Sequence, residues 1–277
     1  MHMADALISP ATAGVMTAAS AGLGALSVKK LGKELDNKSI PMMGVMGAAV
    51  FAMQMINFTI PATGSSGHIG GGVLLAATLG PFAGFLTMAA VLLIQALFFA
   101  DGGLMAYGCN VFNMGFFACF LAFMLIYKKI LRNGFSVKKI WLASIASCVI
   151  GLQIGAFGVV LQTQVSGKTV LPFAAFAALM QPIHLAIGLV EGVITAAVLS
   201  YIWSARPALL TAQVPAAPQP AGKGSTKRVA VVLICAALAI GGAVSLFASA
   251  YPDGLEWSIS KITSEELPAD GSIYEKA

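Results

Sequence analysis

The chain has 277 residues, of which 58% are hydrophobic and 10% charged, with a formal net charge of +5 and a mean hydropathy of +0.88. Soluble domains carry about 25% charged residues, so this composition excludes an ordinary soluble fold. It also excludes nucleic acid as the partner of the positive charge, because the Lys and Arg residues cluster beside apolar segments. Several windows run for about 20 residues without a charge, the length at which a helix crosses a bilayer. The class is an all-α polytopic membrane protein.

In chain order, the start "MHMADALISP" lacks a basic region and carries Asp5, so it does not read as a cleaved signal peptide. Seven spans are predicted at about 9–28, 40–60, 69–80, 82–100, 104–127, 138–163 and 172–203, with an eighth at about 229–250. The third is short, and Gly80-Pro81 marks a tight turn or broken helix before the fourth. Small residues recur at intervals of four, Gly14, Ala18 and Gly22 on the first span and Gly44, Ala48 and Ala52 on the second. Such stripes serve close packing inside the domain or docking of a partner subunit equally well.

Three segments hold thirteen of the sixteen basic residues: 29–38, 128–139 and 206–228. With seven spans before residue 205 they share one side, which the positive-inside rule makes cytoplasmic. Lys168, Lys261 and Lys276 fall outside them. The segment 205–228, rich in Pro and Ala, reads as a cytoplasmic linker between a seven-span domain at 1–204 and an appended unit at 229–277. That unit is one transmembrane helix followed by "YPDGLEWSISKITSEELPADGSIYEKA", which holds six of the eleven acidic residues. The expected localisation is a bacterial or archaeal cytoplasmic membrane. Met1-His2, the 61–68 loop, Asp101 and the tail all face outward on this topology, so His2 and His68 can meet.

A histidine at position two offers the terminal amine of Met1, the backbone nitrogen of His2 and its Nδ1 to one metal ion. Amine and amide nitrogen close a five-membered chelate ring, and amide nitrogen and Nδ1 a six-membered one, with the donors nearly in a plane. A nitrogen from His68 would complete a square, which favours Ni(II) or Cu(II) over tetrahedral zinc. The same two histidines also suit a solvated terminus and a solvated loop, and no H-x-x-x-H or C-x-x-C pattern accompanies them. Candidates around such a centre are Asn57, Ser65, Ser66 and Asp101. His184 and Glu191, both in the seventh span, form a possible intramembrane polar site; His184 would serve equally as a packing residue bonded to a neighbouring helix.

The four cysteines, Cys109, Cys119, Cys148 and Cys235, lie in apolar stretches and read as packing residues. No phosphate-binding loop is present: "AGKGST" puts Gly224 after the lysine and follows no strand. A metal carrier without an ATPase of its own implies a subunit driven by others. Two further classes stay open: a membrane copper enzyme with a terminal-amine and histidine site, and a sensor or scaffold without metal.

The stretches "MHMADALISP", "IPATGSSGHIGGGVLLAATLGPFAG" and "LFFADGGLMAYGCNVFNMG" resemble the CbiM/NikM family, the substrate-binding (S) subunits of energy-coupling-factor transporters for cobalt and nickel. The resemblance spans about residues 1–204, and "YPDGLEW" resembles the PDGLE element of the CbiN/NikN component, here fused. It implies that Met1, His2 and His68 supply the ligands and that the chain is not an enzyme. The implied partners are a transmembrane coupling (T) subunit of the CbiQ/NikQ type and ATPases of the CbiO/NikO type. The "MHMADA" start looks more like the nickel branch, so Ni(II) is the expected substrate and Co(II) the alternative. A separate N component has spans on both sides of its PDGLE loop, whereas this sequence has an apolar run only before it.

Overall fold

The computed structural model describes residues 2–32, 39–169, 171–214, 226–242 and 244–263. Met1, Lys33, Lys38, residues 215–225 of the expected linker and the acidic end of the tail lie outside them. Among the described residues five helices are long and apolar enough to cross a membrane: α1 (Pro10–Leu31), α4 (Pro81–Phe98), α5 (Tyr107–Leu131), α6 (Val137–Ser166) and α7 (Phe173–Ala205). Between α1 and α4 stand α2 (Ser39–Gln54) and α3 (Gly72–Leu79). After α7 come the short α8 (Pro207–Thr211), then α9 (Thr226–Gly242) and α10 (Gly254–Thr263).

The expected second and third spans are where the structure departs from the sequence reading. The second stops at Gln54 instead of residue 60. The chain then turns through a two-stranded antiparallel hairpin, β1 (Phe58–Ile60) and β2 (Ser65–Gly67), with Ile60 opposite Ser65 and Phe58 opposite Gly67. Phe58-Thr59-Ile60 is apolar enough to extend a helix on hydropathy alone, but it is equally a strand sequence. The third span reduces to α3, whose eight residues cover roughly 12 Å, short of the ~30 Å hydrocarbon core. Gly80, at φ +87°, ends α3, and Pro81 opens α4 at its first turn. Where the eighth span was expected, at about 229–250, stands α9, whose 17 residues end at Gly242 and which is not among the five helices long and apolar enough to cross.

Helices α6 and α7 form the most extensive helix pair. Their backbones approach so closely that a Cβ on Gly192 would stand 2.6 Å from the Cα of Ile145. Large apolar side chains such as Met46, Leu74, Leu75, Phe85, Met88 and Phe123 are fully buried between helices. Others, including Leu97, Leu125, Leu142, Leu189 and Val193, point outward, as lipid-facing side chains do. Within α5 the stretch Val111–Tyr127 winds as a π-helix, and the N–H of Lys128 donates to the carbonyl of Phe123, five residues back. Such winding is frequent at functional sites. Here it begins beside Asn110, the residue that grips the start of the chain.

The segment after α9 runs back along the hairpin. Ser249 donates its N–H to the carbonyl of Asn57 at 2.8 Å, and Ser66 donates its N–H to that of Pro252 at 2.8 Å. Asp253 then pairs with Ser66 in a parallel bridge, and α10 packs on α7.

Candidate metal-binding site

Residues 2–8 precede α1 as irregular backbone with one 3-10 turn at Asp5–Leu7, flanked by Ala4 and Ile8 in extended conformation. They are held by the loop between α4 and α5 and by the first turn of α5. The Asn110 carboxamide brackets Met3, accepting from its N–H at 2.7 Å and donating to its carbonyl at 3.1 Å. Gly103 also donates to the Met3 carbonyl, at 2.9 Å. Asp5 accepts from the N–H of Ala106 at 2.9 Å. A side chain on Gly103 would collide with Asp5, which explains the second glycine of "ADGG". Met3 is fully buried, so it anchors the segment in the core. Ser9 caps α1 by accepting from the N–H of Thr12 at 3.3 Å.

This anchoring brings His2 beside His68. Their rings stack, with centroids 4.8 Å apart and planes inclined by 25°. Both are buried, and loss of hydration lowers each imidazole from the ordinary 6.5 to about 3. Near neutral pH they are therefore uncharged, the form that ligates metal. His2 Nδ1 lies 3.1 Å from Asp101 Oδ1, so this nitrogen carries the proton and donates. Burial raises Asp101 above the ordinary carboxylate value. His2 Nε2 and Gln95 Oε1 are both buried without a hydrogen-bond partner.

The remaining sequence candidates have different tasks. Ser65 donates to the Ser66 carbonyl at 3.2 Å and shapes the hairpin. Ser66 donates its hydroxyl to the Tyr251 carbonyl at 2.7 Å and binds the tail. Asn57 meets the tail through its backbone carbonyl. His184 and Glu191 hydrogen-bond to different groups. His184 Nδ1 donates to the Met180 carbonyl at 2.8 Å, while Glu191 accepts from the N–H groups of Gly70 and Gly71 at 2.7 and 3.0 Å.

The sequence reading missed the PDGLE residues as parts of this site. Pro252 offers its carbonyl to Ser66. Asp253 caps α10, its Oδ1 accepting from the N–H groups of Leu255 and Glu256 at 2.9 Å each. Gly254 lies against α7, where a Cβ would stand 2.6 Å from Ile183 Cγ2 and 3.2 Å from His184 Cε1. Leu255 is buried at 2% exposure. Asp253 borders two cavities, one of about 10 Å³ with His68, His184 and Met114 and one of about 70 Å³ with His2, Asp101 and Glu256. Burial alone would raise Asp253, but the positive amino terminus and the Glu256 N–H hold it below the ordinary carboxylate range. Glu256 rises to about 7 through burial and the charge of Asp253. The tail's acidity was legible; its return to the histidines rests on backbone pairing with the hairpin, which leaves no mark in hydropathy.

Among the described residues no group of three His, Cys, Asp or Glu side chains is arranged to hold a metal ion.

A multi-span helical membrane protein in which a histidine at the start of the chain is buried against another beside the hairpin is the class that fold and site define. The comparisons then give the family. Residues 2–209 match the CbiM family, described as the cobalt uptake substrate-specific transmembrane region, and residues 227–277 match the PDGLE domain. A putative fused nickel transport protein NikMN of Archaeoglobus fulgidus is 36% identical, over 99% of this chain and 86% of its own. The cobalt transport protein CbiM of Sorangium cellulosum is 30% identical, over 76% of this chain and 94% of its own. A crystal structure of a truncated transition metal transporter superposes with a TM-score of 0.64 at 33% identity, over 74% of this chain and 99% of that one. The chain belongs to the CbiM family, as a multi-pass nickel or cobalt transport component carrying a PDGLE domain, and is not an enzyme.

Proposed function

We propose that the chain is the substrate-binding subunit of an energy-coupling-factor importer and that its substrate is Ni(II). The ion is held by four nitrogens in a square plane: the Met1 amine, the His2 amide nitrogen, His2 Nδ1 and an imidazole nitrogen of His68. The observation that carries this reading is the buried, uncharged His2–His68 pair, stacked at 4.8 Å. Planar nitrogen coordination suits Ni(II), and the relative in Archaeoglobus fulgidus is named for nickel.

In this geometry Nδ1 of His2 is engaged by Asp101. Loading exchanges that hydrogen bond for a metal bond: the imidazole changes tautomer, its one ring proton passing from Nδ1 to Nε2 by way of Asp101 or solvent, which frees the Nδ1 lone pair, while the Met1 ammonium and the His2 amide each release a proton to solvent. Gln95 Oε1, buried and without a partner, is the acceptor that form requires. The site and the PDGLE tail face the outside of the membrane. A transmembrane coupling subunit of the CbiQ/NikQ type and ATPases of the CbiO/NikO type supply the work of release.

Equilibrium binding to the purified, untagged chain tests this, with nickel and cobalt in competition. Retention of nickel against equimolar cobalt, and its loss in His2→Ala and His68→Ala, is the expected result. Cobalt displacing nickel would reassign the substrate, and a His2→Ala chain binding nickel as tightly as the parent would overturn the site.

A further inference from the structure

Glu191 sits in the middle of α7, 1% exposed, and a carboxylate so placed in a membrane helix needs strong partners. It finds them in the glycine loop that follows His68. Oε2 accepts from the N–H of Gly70 at 2.7 Å and Oε1 from that of Gly71 at 3.0 Å. Two successive N–H groups converging on one anion make a backbone nest. The loop is built for it: a Cβ on Gly70 would stand 3.0 Å from Glu191 Oε2, and Gly71 has φ +77° and presses on Val50. Gln54, at the end of α2, grips the same loop from the other side, its Nε2 donating to the Gly70 carbonyl at 2.6 Å.

We propose that Glu191, with Gln54 opposite, is the positioning residue of the metal site. It fixes the Gly70 loop two residues beyond His68 and thereby sets where that imidazole stands against His2. The inference rests on the reading that His68 ligates the ion. A carboxylate is required because two N–H donors meet two acceptor oxygens. A carboxamide in its place would turn an NH2 group toward one of them and leave a buried donor unsatisfied. The same bonds tie the loop to α7, so a displacement of that helix in the transport cycle would move His68 with it.

The test is a nickel titration of the full-length chain in detergent for the parent, Glu191→Gln and Gln54→Leu, with absorption spectra at saturating metal and melting of the metal-free proteins. Residues that orient a metal ligand typically cost 10–100-fold in affinity when changed. Glu191→Gln should weaken nickel binding by about that factor and shift the ligand-field band of the bound ion. A purely structural residue would lower the melting temperature and leave the band in place. If Glu191→Gln fails to fold, Gln54→Leu carries the test, since it loosens the same peptide from α2. Parent affinity and an unshifted band in the variant that folds would overturn the proposal, as would weaker binding with the band unmoved. His2→Ala is measured alongside. If it binds nickel like the parent, the four-nitrogen reading itself is at fault, whatever Glu191→Gln does.

Discussion

Ser66 donates its backbone N–H to the carbonyl of Pro252 at 2.8 Å, joining the hairpin of the CbiM region to the PDGLE domain. That bond, together with the Ser66 hydroxyl on Tyr251, lays the tail across the loop carrying His68. The fused tail is thus a wall of the site, and Asp253 borders both cavities beside the histidines.

Seating of the tail depends on Gly254, which has no room for a side chain against Ile183 and His184. Gly254→Val should unseat α10, since forcing atoms into a packed contact costs about 1–3 kcal/mol. Lys261, on α10 over the Trp257 ring, reports it. Tryptic cleavage there should accelerate by about tenfold or more in the variant, given that 1.4 kcal/mol is tenfold. Equal cleavage rates in parent and variant would mean that the tail is not held by this contact.

Asn110 satisfies both backbone groups of Met3. Asn110→Ala leaves the buried Met3 N–H without a partner, at about 1–3 kcal/mol, and the Met3 carbonyl with the Gly103 bond alone. The start of the chain should then dock loosely, and nickel affinity should fall by at least about tenfold. Calorimetric titration measures this, and parent-like affinity would show that the first residues find their place without Asn110.

The histidines set an acid limit. Burial lowers both from the ordinary 6.5 to about 3, so below pH 6.5 the unfolded chain binds protons that the folded one does not. Stability is therefore fully present above that value and is lost progressively as pH falls toward 3. Melting temperature of the metal-free protein should decline over this window, and less steeply in His68→Gln. Identical slopes would show that His68 is not the group responsible.

Much of this was legible in sequence because it is local. "MH", "SSGH" and "ADGG" each carry their chemistry within a few residues, and Gly80-Pro81 announces its own break. The long helices α4 to α7 follow from apolar length, which hydropathy measures directly. The hairpin was not legible, because Phe58-Thr59-Ile60 is as apolar as the helix before it and only pairing with Ser65–Gly67 makes it a strand. Nor were the tasks of Glu191, Asn110 and Asp253. Each acts on backbone far away in the chain, and a side chain's acceptor atoms do not reveal which N–H they will meet.

The most direct test of the central claim is nickel affinity with and without one extra residue ahead of Met1. A chain whose amine, His2 amide and imidazole form one chelate cannot tolerate the insertion, because the amine is then no longer one residue from the histidine. The account predicts a loss of nickel binding as complete as that in His2→Ala, together with disappearance of the diamagnetic, planar Ni(II) signature. An extended chain that binds nickel with parent affinity and the same spectrum would contradict it.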